Sequence, residues 1–328
     1  MHNQMMSKNL PKLIVILGPT ASGKSDLAIK LALRLSSGQA KKKFGINGVE
    51  IVSADSRQIY KEMDIGTAKP SKKELGTIPH YLINLIKPNQ EFNVAIYKKL
   101  ALESIKKIQN QGKMPFLVGG TGLYIQAVVD NIEFPAIPAN KALRRKLERK
   151  TEKELFKIYK KLDSEGAKFI DRKNKRRLIR AIEVSQITKK PFWKQREKGT
   201  PLFNVLMIGI NLPQKELEKR INKRIEKMFR LDLEKEVRRL IKKYGWKISP
   251  LQTIGYQEWI NYLNKKPSLT KEGVKKNIIL HTLQFTKRQM TWFSAHGGSV
   301  SGGKKEERIR WIKNYHQAEK LIKKFLLE

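Results

Sequence analysis

The sequence contains no cysteine, so disulfide staples, thiolate metal sites and thiol nucleophiles are excluded together. A metal ion in this protein must be held by oxygen or imidazole, and the five histidines fall in no ligand spacing. No stretch approaches the roughly eighteen consecutive apolar residues needed to cross a bilayer. The first ten residues carry no apolar run of a secretory leader. These absences predict a soluble, cytoplasmic protein with no membrane partner. Acidic residues are also scarce: 30 Asp and Glu face 69 Lys and Arg, a formal net charge of +39. Two explanations fit. One is a Lys-rich composition spread over polar helix faces; the other is a polyanionic partner whose condensed counterions are released on binding. Charge alone does not separate tRNA from DNA, ribosome or acidic lipid.

What is present is enough apolar material, 40% of 328 residues, for one large α/β domain with an insertion or for two packed domains. The first 130 residues or so alternate short apolar runs with helical patterns, as a parallel sheet does. Leu13–Leu17, Val49–Ala54, Tyr81–Ile86 and Pro115–Val118 read as strands. Asp26–Leu35 reads as a helix with Leu27, Leu31 and Leu35 on one face, and Val94–Gln111 as a helix stopped by Gly112. Lys41-Lys42-Lys43 reads as a solvated turn in a Gly-bearing loop. From about Pro135 to Thr200 the strand pattern disappears in favour of charged helices and a dense basic run, Lys168–Arg180. Asn204–Ile210 returns to a β-rich run. The segment Pro213–Glu328 reads as mostly helical, with Gly297–Gly303 as a flexible connector before a last helix ending near Leu327. The predicted organisation is an α/β core over 1–134, a helical insertion over 135–203, and a return to the core with C-terminal helices over 204–328.

Gly18-Pro19-Thr20-Ala21-Ser22-Gly23-Lys24-Ser25 follows the first strand, opens the first helix and fits G-x-x-x-x-G-K-[ST]. Its glycines let backbone N–H groups converge on phosphate oxygens at a helix N-terminus, where the macrodipole favours negative charge. Lys24 adds a point charge, and the Ser25 hydroxyl can ligate Mg2+. Most proteins with this loop bind ATP or GTP, but the loop specifies phosphate rather than which phosphate. The acid expected on a neighbouring strand end is Asp55. It is followed by Ser56-Arg57-Gln58-Ile59-Tyr60, an odd context for a simple nucleotide hydrolase.

The loop and Asp55–Tyr60 are followed by Met63-Asp64-Ile65-Gly66-Thr67-Ala68-Lys69-Pro70, Pro79-His80 and Gly119-Gly120-Thr121-Gly122-Leu123-Tyr124. Further on come Arg176–Glu183, Ile254-Gly255-Tyr256 and Lys287-Arg288-Gln289-Met290-Thr291-Trp292-Phe293. With these motifs, in order and over nearly the whole chain, the sequence resembles the bacterial tRNA dimethylallyltransferases. The resemblance implies a P-loop NTPase-like parallel sheet flanked by helices, with an all-helical insertion that binds tRNA. It implies transfer of the five-carbon unit of dimethylallyl diphosphate to N6 of the adenosine at position 37, 3′ to the anticodon, in tRNAs reading codons that begin with U. Inorganic diphosphate leaves.

By the same resemblance, Asp55 is the general base that accepts the N6 proton, a role that typically contributes about 10²–10⁴ in rate. The Mg2+ role of an ordinary phosphate-loop acid is its alternative. Thr20, Lys24 and Ser25 hold the diphosphate and Mg2+, and Arg224 falls where the family keeps a diphosphate-binding arginine. The tRNA contacts implied are Asp55, Ser56, Arg57, Gln58 and Thr121, with Arg144, Arg176, Arg177 and Arg180 in the insertion and Gln252, Thr253, Gly255, Tyr256 and Gln257 beyond it. Arginines and aromatics suit the unpaired bases of an anticodon stem-loop, and the target base must be extruded to react. Leu178, Ile179, Trp292 and Phe293 read better as packing residues, and His80 as structural. The chain departs from the family where Asp232 replaces a usual Gly, and at Leu283 and Ser294. A monomer is expected. Rival readings are a prenyltransferase of free adenine nucleotides, an RNA-directed P-loop ATPase or kinase, and a non-catalytic RNA-binding protein.

Overall fold

Six residues, Lys-Leu-Ile-Val-Ile-Leu, make β1 (Lys12–Leu17), and all but the first are buried. A strand covered on both faces belongs inside a parallel sheet. In the computed structural model, which describes residues 10–135, 137–195, 197–264, 270–296, 298–301 and 304–328, β1 is flanked in parallel by β4 (Met114–Gly119) and β5 (Asn204–Ile210). Outside β4 lie β2 (Val49–Ser53) and β3 (His80–Tyr81); outside β5 lies β8 (Ile309–Ile312). The order is β3-β2-β4-β1-β5-β8, all parallel. A separate antiparallel pair, β6 (Gly298–Ser301) with β7 (Lys304–Glu307), precedes β8.

Because side chains alternate along a strand, β1 feeds two cores. Ile14 and Ile16 point into one with Ala28, Leu31 and Leu35 of α1 (Lys24–Leu35). Leu13, Val15 and Leu17 point into the other, with Tyr97, Ala101, Ile105 and Ile108 of α2 (Val94–Asn110) and Ile125 and Val128 of α3 (Gly122–Val129). The chain forms two compact units, 1–129 with 202–328 and 130–201. The second unit packs α4 (Lys141–Glu148), α5 (Glu152–Leu162) and α6 (Lys175–Thr188) around Leu147, Leu155, Tyr159, Leu178 and Ile182. Leu178 and Ile179 are therefore core residues, as their spacing predicts. In the first unit, a third core joins α7 (Gln214–Arg230), α8 (Leu233–Tyr244) and α9 (Lys271–His296) through Ile221, Ile225, Val237, Leu240 and Ile278. The last helix, α10 (Tyr315–Leu327), buries Ala318, Ile322 and Phe325 against the sheet core. No helix among the described residues is long and apolar enough to cross a membrane.

Four expectations need correction. The strand expected over Tyr81–Ile86 ends at Tyr81, because Leu82 and Asn84 adopt left-handed φ values of 62° and 55°; Ile86 makes only an isolated bridge to Tyr60. Lys41-Lys42-Lys43 is exposed but helical, the last turn of Gly38–Phe44, stopped by Gly45 at φ 68°. The Gly297–Gly303 connector contains strand β6; Gly297, Gly302 and Gly303 lie outside the described residues. The segment expected to be helical ahead of the last helix supplies the edge strand β8. Ile309 and Ile312 are buried there while Arg310 is exposed, so a charge interrupts the strand's short apolar run. Asp232, in contrast, stands at φ 62° and caps α8 by accepting the amide of Lys235. Asp tolerates the left-handed region better than most residues, so the usual Gly is replaced without loss of the turn.

Candidate active site

Residues 18–25 turn between β1 and α1. Ala21 and Gly23 sit at φ 64° and 86°, and Gly23 occupies the cap of α1, leaving the first amides of that helix for an external acceptor. The Lys24 ammonium folds back to donate to the Pro19 carbonyl at 3.2 Å. The strand–loop–helix is that of a P-loop NTPase-like fold.

Asp55 lies two residues past the end of β2. Its Oδ1 accepts the amides of Arg57 at 2.8 Å and Gln58 at 3.4 Å, which fixes the carboxylate against its own backbone and leaves Oδ2 to take a proton. The loop after β4 braces this turn. Thr121 donates its amide to the Ala54 carbonyl at 3.1 Å, and its hydroxyl accepts the Ser56 amide at 3.0 Å. The approach explains the glycines of Gly119-Gly120-Thr121-Gly122. A Cβ on Gly119 would strike the Ala54 carbonyl, one on Gly120 would lie 2.6 Å from the Gln289 amide, and one on Gly122 would strike the Trp292 ring.

Asp55, Lys24, Thr20 and Arg224 all line one cavity of about 550 Å³. Its walls come from Ser56 and Arg57, from Thr121, from Gln252–Gln257, and from α9 through Thr282, Phe285, Arg288, Gln289 and Trp292. A smaller polar cavity of about 60 Å³ shares Thr20, Lys24, Asp55 and Arg224 and adds Ser25, Ser53, Gln58 and His80. His80 points its Nδ1 at the Ile78 carbonyl at 2.6 Å, a structural bond that orients the ring. Burial pulls Lys24 down to about 8, with Asp55 raising it and Arg224 lowering it further. Arg224 is likewise lowered by burial, against the pull of Asp55. Two cations desolvated beside one carboxylate form a site that an anion would stabilise.

The 252–257 wall is held by buried acids. Glu236, 5% exposed, accepts the amides of Asp64, Ile65 and Gly66 at 2.8–3.0 Å and the Tyr256 hydroxyl at 2.7 Å. Glu258 accepts the amide of Gly255, which has φ 94°, and its other oxygen meets His281 Nδ1 at 2.7 Å. Tyr256 is fully buried, so it shapes the wall and does not present a ring face. Lys69 links Tyr60, Asp64 and Asn84 at 2.6–2.7 Å. Sequence reasoning missed Glu236 and Glu258 as site-building residues, since neither stands out from the charged helices and loops around it, and it noted Lys69 only as part of the Met63–Pro70 motif.

Arg144, Arg176, Arg177 and Arg180 belong to the other unit. Arg144 and Arg180 converge on Glu183, whose side chain is fully buried, at 2.7 and 2.6 Å, and the Asn140 amide completes the set at 2.8 Å. Arg176 and Arg177 are exposed. Among the described residues no group of three or more His, Asp and Glu side chains is placed to hold a metal ion.

Comparison with known proteins adds an independent line. Residues 58–296 match the family model described as IPP transferase. A tRNA dimethylallyltransferase of Pelotomaculum thermopropionicum is 38% identical over 318 residues, covering 94% of this chain and 93% of that protein. One from Microcystis aeruginosa is 42% identical, covering 89% and 87%. The crystal structure of a tRNA isopentenylpyrophosphate transferase from Staphylococcus epidermidis aligns with TM-score 0.64 and 33% identity, covering 97% of this chain and 99% of the other. A eukaryotic dimethylallyltransferase, captured acting on tRNA, aligns with TM-score 0.67 at 25% identity, covering 86% and 70%.

Proposed function

The chain belongs to the IPP transferase family, and on that premise we propose that it transfers the dimethylallyl group of dimethylallyl diphosphate to N6 of adenosine 37 in tRNAs that read codons beginning with U. The observation that carries this reading is the sharing of one cavity by Asp55, Lys24, Arg224 and the phosphate loop. A base and an anion cradle then flank the same reacting atoms. N6 attacks the allylic carbon, the carbon–oxygen bond to diphosphate breaks with its electron pair leaving on oxygen, and the N6 proton passes to Asp55. Negative charge grows on the leaving group as the allyl carbon becomes cation-like. Lys24, Arg224 and the amides of residues 23–25 meet that charge in a partly dry site, where preorganised donors act most strongly.

Ser25 is the residue that would hold Mg2+, together with diphosphate oxygens. A single protein hydroxyl fits that metal, which characteristically keeps waters and substrate phosphates as its other ligands. The ion would supply charge neutralisation at the leaving group. The wall from Gln252 to Gln257, with Arg57 and Thr121, is where the extruded base and its neighbours would meet the protein. Arg176 and Arg177 would meet RNA phosphates. The protein acts in the cytoplasm as a monomer.

The test is incubation with dimethylallyl diphosphate and either an anticodon stem-loop or AMP. The stem-loop adenosine is expected to gain the prenyl group. Faster turnover of AMP would assign the chain to free nucleotides instead, and Lys24-dependent phosphate release from ATP without prenyl transfer would make it an ATPase.

A further inference from the structure

Gln289 lies on α9, is 7% exposed, and makes two hydrogen bonds with opposite ends of its amide. Oε1 accepts the backbone N–H of Thr20 at 2.9 Å. Nε2 donates to the carbonyl of Gly120 at 2.8 Å. These partners fix which end is oxygen and which nitrogen. They also belong to two different loops: Thr20 to the phosphate loop, Gly120 to the loop that braces Asp55 through Thr121.

Two consequences follow. The Thr20 amide is committed to Gln289, so it is not among the donors this loop offers to an anion, and Thr20 faces the cavity with its hydroxyl as its remaining polar donor. The spacing between the anion cradle and the base is also set by one side chain, because Gln289 grips Thr20 on one side and the Gly120 carbonyl on the other. The fit is close enough that a Cβ on Gly120 would lie 2.6 Å from Gln289 Nε2. One turn along, Trp292 presses on Gly122, so α9 holds this loop at two points.

We infer that Gln289 is a positioning residue for group transfer: it registers the Thr20 hydroxyl and the leaving group against Asp55 without itself touching substrate. This rests on the reaction proposed above. A misplacement of about 1 Å between reacting groups can lower a rate about a hundredfold, so the effect belongs on the chemical step.

Gln289→Met keeps the length and removes both bonds. Gln289→Glu keeps an acceptor for Thr20 but sets an oxygen against the Gly120 carbonyl. Single-turnover prenyl transfer to the anticodon stem-loop at saturating substrates, stem-loop and inorganic diphosphate affinities, and thermal melting are measured for wild type and both variants. The expected result is a loss of about 10- to 100-fold in single-turnover rate for both, with stem-loop and diphosphate affinities within about threefold of wild type. A rate within about twofold of wild type, or weakened affinities with the rate retained, would overturn the inference. If Gln289→Met does not melt cooperatively, the Gln289→Glu rate decides by the same limits; failure of Gln289→Glu to fold as well would make Gln289 a structural residue and overturn the inference. Absence of prenyl transfer by the wild type would instead overturn the proposed reaction.

Discussion

The hydroxyl of Thr121 accepts the backbone amide of Ser56 at 3.0 Å, joining the glycine-rich loop after β4 to the residue next to Asp55. The bond explains why a threonine stands among three glycines. The glycines let the loop approach β2 and α9, and the hydroxyl then fixes where the Asp55 turn lies. Thr121→Val retains the shape and removes the acceptor. It is expected to lower single-turnover prenyl transfer about 10- to 100-fold by displacing the base, with a smaller loss in tRNA affinity. A loss confined to tRNA binding would make the hydroxyl an RNA contact.

Lys24 sets a pH dependence. Burial, reinforced by Arg224 and opposed by Asp55, brings it from 10.5 to about 8. Its folded pKa lies below its unfolded one, so protonated Lys24 opposes folding most below about pH 8, and stability from this group rises as pH climbs from 8 towards 10.5. Donor binding has the opposite requirement, because diphosphate needs the ammonium. The kcat/KM for dimethylallyl diphosphate is expected to fall as pH rises through about 8, while kcat holds to higher pH because the bound anion raises the pKa. A flat kcat/KM profile from pH 7 to pH 9.5 would show that Lys24 does not meet the donor.

Glu183 anchors the helical unit. Burial pushes its carboxyl up, but Arg144, Arg180 and the Asn140 amide outweigh burial and hold it below its ordinary value. Its contribution is fully present above the ordinary carboxylate range and is lost as pH falls through the lowered folded value. Glu183→Ala leaves two partly buried guanidinium groups without their partner. It is expected to destabilise the full chain by about 3–5 kcal/mol, read by denaturant unfolding followed by a probe in residues 130–201. A change under about 1 kcal/mol would place the pair among ordinary surface ion pairs.

Much of the sheet and the phosphate loop was legible because the chemistry is local. A continuous apolar run followed by a glycine turn and a helix start can be read without knowing what packs against it, and β5 matches its expected bounds, Asn204–Ile210. The shortened β3 was not legible, since Leu82 adopts left-handed backbone that its residue type does not announce, and Asn84, a type that tolerates that region, sits inside an apolar run. Nor was β8, an edge strand whose exposed arginine breaks the apolar run. At the site, Asp55, Lys24 and Arg224 were found because a motif or a resemblance carried them. Glu236 was not, and Gln289 was read only as one letter of the Lys287–Phe293 motif with no role, because each acts through hydrogen bonds to segments more than a hundred residues away.

The central claim, that Asp55 takes the proton of the attacking amine beside the phosphate loop, is tested most directly by Asp55→Asn. The amide keeps the Oδ1 acceptor for Arg57 and Gln58, so the turn survives while the base is lost. Single-turnover transfer to the anticodon stem-loop is predicted to fall by about 10²–10⁴, with tRNA and diphosphate affinities within about threefold. A rate near wild type, or a loss that appears wholly as weakened tRNA binding, would contradict it.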